Sequence, residues 1–340
     1  MKLLWITHRR QPEMSSTTQR GEASAQENRG WEIEFMSPDG QHRVERSTRL
    51  GRGHQTFSRS VAERLASIDL GEFSASIVEW TGVQGASGEL FRAQLPWIIM
   101  DRSPPITTGI IVWLQRKQYN KAWKIAREKS AGRAVKSAYM ESSQSWQKPS
   151  AIVPAGVDIN AFESATMNEK PLVVCHGSLD RSRELNRLAK MEINLLLFGE
   201  GNDSQRLANM TRVEGSGDVA SRLAGADIGV LHLPNRDVWK HASPLKVAEY
   251  AAAGLPVVAS EVSGLERYRG AEWLKLIPLG DDEACKTALQ TLCEISLEER
   301  RRLGALARQE AARSMPWEHC TEALPEMMLG VKPVSYTHLR

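Results

Sequence analysis

The chain has 340 residues, 41 % of them hydrophobic and 25 % charged, with a formal net charge of +3 at pH 7. That length is comfortable for two domains with separate cores, and the composition is typical of a globular protein. No apolar run approaches the roughly 20 residues that span a bilayer, MKLLWITHRR has too short an apolar core for a signal peptide, and Cys175, Cys285, Cys293 and Cys320 show no metal-site spacing, so a reduced, cytoplasmic protein is expected.

Strands and helices alternate along the chain, which predicts parallel sheets in an α/β fold. In the first half, strands are expected at Leu3–Thr7, Glu32–Met36, Ser76–Trp80 and Trp97–Asp101. Helices are expected at Ser15–Asn28, Thr56–Ser67 and Thr108–Lys129. In the last of these, Ile111, Leu114, Ala122, Ile125 and Ala126 form an apolar arc at helical spacing. Arg116, Lys117, Lys121, Lys124 and Arg127 fall mostly opposite, with Trp113 and Trp123 beside them. A buried helix with a solvated basic face and two snorkelling or packed tryptophans is favoured over a membrane-interface helix. In the second half, strands are expected near Leu172–Cys175, Asn194–Phe198, Ile228–Leu231, Pro256–Ala259 and Leu274–Ile277. Helices are expected at Asp282–Glu294, Leu297–Ser314 and Glu318–Met328. Val334–Arg340, VSYTHLR, reads like translated sequencing-adapter read-through and is set aside.

Charge is uneven. Residues 1–150 hold 22 Lys+Arg against 15 Asp+Glu, and the remainder 22 against 26. The basic half suits an anionic acceptor or an anionic membrane surface; no nucleic-acid-binding motif accompanies it, so nucleic acid is not expected as a partner.

The most informative stretch is His241–Ser260, HASPLKVAEYAAAGLPVVAS. It reads as a loop, a capped helix, a stop and a buried strand. Ser243 can cap the helix, Pro244 suits its first position, Gly254 ends it and Pro256 prevents its continuing. The free N–H groups near Ser243, Pro244, Leu245 and Lys246 make an anion site, to which Lys246 adds a full charge. Glu249 can accept hydrogen bonds from a vicinal diol such as a ribose. Phosphate site and diol acceptor on one helix suggest a nucleotide-sugar pocket.

This segment resembles the donor-binding signature of GT-B glycosyltransferases, in particular the retaining family 4. Other pieces fall in the order that family implies: AIVPAGVDINAF at Ala151–Phe162, LVVCHGSLD at Leu172–Asp180, LLLFGEGND at Leu195–Asp203, LAGADIGVLHL at Leu223–Leu233 and MPWE at Met315–Glu318. The likeness covers residues 151–328 and is weak over 1–150.

The resemblance implies an α/β, GT-B architecture of two Rossmann-like domains facing a central cleft. The expected divisions are 1–165 for an acceptor-binding domain, 166–315 for a nucleotide-sugar-binding domain, 316–332 for a closing helix and 333–340 for the tail. It implies transfer of a sugar, of hexose type, from a nucleotide-diphosphate donor to an acceptor hydroxyl, with retention. The chain has no Asp-x-Asp, so no metal and no cofactor are expected, and cations must stabilise the departing diphosphate. The donor-binding candidates are Gly177, Ser178, Arg181, Arg183, Gly199, Gly201, Ser243, Pro244, Leu245, Lys246 and Glu249. Ser178 stands where the family usually has Arg, and His241 where many members have the first of two glutamates. Lys246, His241 and Asp101 are the catalytic candidates, and His8, Arg9 and His54 the acceptor-binding ones. The acceptor is expected to be a glycan, a lipid-linked sugar or a small molecule, met in the cytoplasm or at the inner face of an anionic membrane. A GT-B-like sugar-nucleotide epimerase and a non-catalytic nucleotide-sugar-binding protein are the alternatives.

Overall fold

The structure is a computed structural model that describes residues 1–10, 17–46, 53–105, 110–143 and 145–329, apart from the side chains of 110–112. The chain forms two compact units, Met1–Pro154 together with the chain from Cys320, and Ala155–His319.

The first unit opens with β1 (Lys2–Ile6), α1 (Thr17–Glu27), β2 (Glu32–Ser37), β3 (His42–Arg43) and α2 (Gly53–Leu65). It continues with β4 (Ala75–Glu79), α3 (Val83–Arg92), β5 (Trp97–Asp101), α4 (Ile110–Lys129), β6 (Gly132–Val135), α5 (Ala138–Ser142) and β7 (Ser150–Ile152). Among the described residues the strands make one parallel sheet in the order β3-β2-β1-β4-β5-β6-β7. The central strands are covered on both faces, which is why they read as unbroken apolar runs such as LLWI. Alternate residues feed opposite cores: Leu4 and Ile6 pack with Phe57, Leu90 and Trp123, while Leu3 and Trp5 pack with Ile77, Met100 and Leu324.

The second unit carries β8 (Val173–His176), α6 (Asn186–Ala189), β9 (Leu195–Phe198), α7 (Ser204–Ala208), β10 (Arg212–Glu214), α8 (Val219–Ala224) and β11 (Ile228–Leu231). After these come α9 (Asp237–Lys240), α10 (Leu245–Ala252), β12 (Val257–Ser260), β13 (Leu274–Ile277), α11 (Asp282–Glu294), α12 (Leu297–Ser314) and α13 (Trp317–Cys320). The sheet order is β10-β9-β8-β11-β12-β13, again parallel throughout. A last helix, α14 (Ala323–Leu329), returns to the first unit, where Leu324, Met327 and Met328 are buried against the sheet.

Two expectations shift. The expected boundary at 165 falls inside the second unit: Val157 N–H donates to Met315 O (2.7 Å) and Ala165 N–H to Ala253 O (2.9 Å), so the chain changes unit at Pro154. The expected single helix 318–328 is two helices, broken at Thr321 and Glu322. The tail at Val334–Arg340 and the helix starts at Ser15 and Thr108 lie outside the described residues. Among the described residues no helix is long and apolar enough to cross a membrane.

Candidate active site

In a doubly wound sheet, ligands sit beyond the carboxyl ends of the strands where the strand order reverses. In the second unit that point lies between β8 and β11. After β8 the chain turns at Gly177, whose φ of +105° L side chains rarely adopt. A Cβ there would lie 2.7 Å from Cε and 2.8 Å from Nζ of Lys246, so the lysine is laid along this turn in space that only glycine leaves.

The next turn locks the first in place. Gly199, with φ +143°, brings its backbone against the Gly177 carbonyl, and Gly177 N–H donates to Phe198 O at 2.9 Å. Gly201 packs in the same way on the backbone of Leu179, which is bonded to Glu200 O and accepts from Asp203 N–H. Gly199 and Gly201 therefore hold the shape of the Gly177 turn. Ser178 is also engaged locally: its hydroxyl donates to Asp180 Oδ2 at 2.5 Å, and Asp180 Oδ1 accepts from Asn202 N–H at 3.0 Å.

The structure separates the two arginine candidates. The Arg181 side chain is 76 % exposed and lies 3.6 Å from the Asp203 carboxylate. Arg183 is half-buried, with its guanidinium 4.3 Å from the centre of the Trp239 ring, an arrangement of cation–π type. Burial holds both Arg183 and Lys246 below their ordinary pKa ranges, and Arg183 further disfavours the charge on Lys246. Neither forms a salt bridge or a side-chain hydrogen bond among the described residues. Asp180 and Glu249 favour the two charges only from a distance, so two partly desolvated cations outside any salt bridge favour an anion between them.

Helix α10 carries Lys246 and Glu249. It starts one residue later than its sequence suggests: Pro244 is the N-cap, and Ser243 does not cap it. The Ser243 hydroxyl instead accepts from Ala155 N–H at 2.9 Å, pinning the preceding loop. Leu245 opens the helix; Val247 N–H already donates to Pro244 O at 3.3 Å, which leaves the N–H groups of Leu245 and Lys246 at the helix start. The helix is clamped from behind. Gly254, with φ +72°, ends it, the Gly304 backbone of α12 packs against Gly254 O, and Arg308 donates to Ala252 O. Val247, Ala248, Tyr250, Ala251 and Ala252 are all buried.

Glu249 is 8 % exposed, and its Oε2 lies 3.0 Å from His176 Nε2. Those two atoms are not aligned as a hydrogen bond, and each is left without a hydrogen-bond partner. His176 stacks on Phe198 (5.1 Å) and meets Tyr250 edge-on (5.2 Å), while its backbone N–H donates to the Tyr250 hydroxyl. His176 and Trp239 were not singled out from the sequence; His176 meets Glu249 and Tyr250 only through the fold, Tyr250 lying 74 positions away. His241 ends α9, half-buried, and burial lowers its pKa.

The corresponding edge of the first unit is built differently. The reversal lies between β1 and β4, and there His8 Nδ1 bonds Thr81 Oγ1 at 3.0 Å. Burial pushes the His8 pKa down to about 4, against the pull of Glu79, so the ring is neutral at pH 7. Arg9 Nε lies 3.7 Å from Glu79 Oε2. His54 packs on Trp80 at 5.0 Å and is likewise held below its usual pKa by burial. Beside them lies an ion cluster that the sequence did not reveal. Arg102 donates to both oxygens of Glu22 and to Glu79 Oε1, and Lys136 bonds Glu22. Burial would raise the Glu79 carboxyl, but Arg102, Arg9 and His8 hold it at about 2. Burial lowers Lys136 to about 8 despite Glu22.

Asp101 is 0 % exposed, and burial raises its pKa to about 6. Its Oδ2 accepts from the Tyr119 hydroxyl and from Trp123 Nε1 (3.0 Å), and its Oδ1 from Ser103 N–H (3.2 Å). Both oxygens of Asp101, the residue expected to act at the reacting sugar, are thus engaged in hydrogen bonds, two of them to aromatic side chains. Trp123 is buried with this bond, whereas Trp113 is 57 % exposed, and Leu114, expected in the apolar arc, is 42 % exposed.

The matches to known proteins agree with this geometry. The family model "Glycosyl transferases group 1" matches residues 170–294, which include β8 to α10. Residues 170–294 form a glycosyl transferases group 1 domain. The chain is therefore a glycosyltransferase, and its two parallel sheets have the GT-B fold. Its structure is similar to sucrose-phosphate synthase from Thermosynechococcus elongatus, with a TM-score of 0.73 at 18 % identity over 96 % of this chain and 98 % of that one. It is similar to HepE of Anabaena in complex with UDP-glucose, with a TM-score of 0.71 at 12 % identity over 97 % and 100 % of the two chains. It is also similar to WaaG, a glycosyltransferase involved in lipopolysaccharide biosynthesis, with a TM-score of 0.68 at 13 % identity over 94 % and 99 %. No curated protein matches the sequence.

Proposed function

We propose that this glycosyltransferase uses a nucleoside-diphosphate sugar and retains the anomeric configuration without a metal ion. The observation that carries the reading is the unpaired pair Lys246 and Arg183 beside the Gly177 turn, in the domain that matches the family. The diphosphate would lie against these cations and the first-turn N–H groups of α10. Glu249 Oε2, buried and without a hydrogen-bond partner, would accept from ribose hydroxyls. Solved structures of HepE with UDP and with UDP-glucose support a uridine nucleotide as the first donor to test.

In the proposed reaction the bond from the sugar anomeric carbon to the phosphate oxygen breaks, and a bond to the acceptor oxygen forms. The acceptor proton passes to the departing diphosphate. Lys246 and Arg183 stabilise the charge that develops on the leaving group, a fixed electrostatic contribution that a metal would otherwise supply. The absence of Asp-x-Asp from the sequence supports this division of labour. An epimerase would need acid and base groups at the sugar, and Asp101, one of the two candidates, has both oxygens engaged in the first unit's core. Exposed Trp113 and Leu114, with Lys117 Nζ 3.6 Å from the centre of the Trp113 ring, support a peripheral contact of α4 with an anionic membrane.

The test is hydrolysis and transfer from UDP-, GDP-, ADP- and TDP-sugars with and without EDTA. Turnover that survives EDTA is expected. Turnover abolished by EDTA and restored by Mg²⁺ or Mn²⁺ would contradict the mechanism.

A further inference from the structure

The first unit holds a cavity of about 510 Å³ that neither the ion cluster nor the donor site accounts for. It is lined by α2, α3 and α4 and closed at one end by Trp80 and Thr81, just past the carboxyl end of β4. Its size lies within the range of about 300–1,000 Å³ usual for small-molecule sites.

Three features of the lining define the ligand chemistry. First, Arg59, Lys117 and Lys121 contribute three cations, and the described residues of the lining include no Asp or Glu. This contrasts with the ion cluster nearby, where every buried cation has a carboxylate. Second, the neutral lining is rich in hydrogen-bonding groups, and Gln118 Oε1 is buried without a hydrogen-bond partner. Its amide offers an acceptor of the kind a hydroxyl seeks. Third, Trp80 supplies an aromatic wall. It is fixed by His54 on one side (5.0 Å) and Tyr119 on another (5.5 Å), and Tyr119 is itself held by Asp101.

We infer that this cavity binds an anionic sugar, the ring against Trp80 and its phosphate or carboxylate among Arg59, Lys117 and Lys121. The inference rests on the reading of the chain as a glycosyltransferase and names the class of its acceptor. A planar guanidinium and two ammonium groups suit a phosphate or carboxylate. An aromatic face with neutral hydroxyl partners suits the rest of a sugar. The bound anion also relieves the mutual repulsion of three cations that share no acid among the described residues of the lining.

The test is calorimetric titration of the full chain with glucose 6-phosphate, fructose 6-phosphate, glucuronate, glucose and inorganic phosphate, and separately with UDP. At least one of the three anionic sugars should bind about tenfold or more tightly than glucose or inorganic phosphate. The double variant Arg59→Gln, Lys121→Gln, both positions exposed and outside the donor site, should weaken that binding about tenfold while leaving UDP affinity unchanged. Glucose 6-phosphate against glucuronate separates a phosphate from a carboxylate source. UDP binding with no anionic sugar bound, glucose or inorganic phosphate bound as tightly as the anionic sugars, or a double variant that binds like the parent would each overturn the inference. Vesicles of anionic lipid that bind while every anionic sugar fails would overturn it in favour of a membrane contact. Anionic-sugar binding that is sensitive to the variant, with no UDP binding, would uphold the cavity and remove the donor reading instead.

Discussion

The two units reverse their strand order at equivalent points, yet treat charge there in opposite ways. In the first unit, Arg102 and Lys136 are buried in ion pairs with Glu22 and Glu79. In the second, Lys246 and Arg183 are partly buried and form no salt bridge among the described residues; Glu249 and Asp180 act on them only from a distance, and burial outweighs that pull. The same topology thus yields a buried cluster whose cations are ion-paired and a turn whose cations are not. Buried cations that are already paired serve the fold; buried cations left unpaired are held for a ligand.

The sharpest way to break this comparison is to remove a cation from the paired side. Arg102→Met leaves Glu22 and Glu79 buried with their main partner gone, and should cost about 3–5 kcal/mol of stability, read by thermal or urea unfolding. A variant that melts with the parent would mean the cluster is not the structural element described.

Next in size is Gly177→Ala. The added Cβ meets the end of Lys246, and the positive φ adds strain of about 1–3 kcal/mol. Stability should fall by about that amount, and nucleoside-diphosphate affinity about tenfold, because the lysine must leave the turn. Loss of stability with unchanged affinity would detach Lys246 from the site.

Glu249→Gln should weaken nucleoside-diphosphate binding about tenfold, since a charge-assisted bond contributes roughly 1.5–3 kcal/mol and the amide retains part of it. Binding of inorganic pyrophosphate, which has no ribose, should be unchanged. If both ligands lose affinity equally, Glu249 acts on the helix and not on the ribose.

The smallest effect is expected at Asp101. With its pKa raised to about 6, this carboxyl stabilises the fold most when protonated, so its contribution is present below the unfolded pKa and is lost as pH rises through about 6. Asp101→Asn removes that titration and keeps an acceptor oxygen for Tyr119 and Trp123. It should change stability at pH 7 by less than about 1 kcal/mol and flatten the pH profile of stability between about 4 and 6. An unaltered profile would show that another group titrates there.

What the sequence revealed differs between the units for the same physical reason. Strands and the helix of the second unit were legible because their chemistry is local: ILE-GLY-VAL-LEU at Ile228–Leu231, the Gly254 stop, and Asp282–Glu294 and Leu297–Ser314, whose ends match residue for residue. Lys246 and Gly177 could each be named, but not their contact, which depends on two strands and a helix converging. The ion cluster was illegible because Glu22, Glu79, Arg102 and Lys136 come from four separate elements and resemble solvated charges in isolation. Helix α3 was missed because its buried face, Val83, Gly85, Ala86, Ser87 and Leu90, consists largely of small residues, and Gly85 packs directly on the Ser58 backbone. Ser243 was misread because a serine before Pro-Leu-Lys looks like a cap, whereas Ala155, 88 positions earlier, claims its hydroxyl.

The central claim is that Lys246 is left unpaired for a diphosphate, and proton-linked calorimetry tests it most directly. UDP is titrated into the parent and into Lys246→Met at alkaline pH, in two buffers of different ionisation enthalpy. Because burial and Arg183 lower the Lys246 pKa, a bound diphosphate should raise it again. The parent should take up a proton on binding, and its affinity should fall as pH rises through the lowered pKa. Lys246→Met should unfold no more readily than the parent, bind about 10–100-fold more weakly, and show no such uptake. Equal affinity for the two proteins, with no difference in proton uptake, would contradict the account.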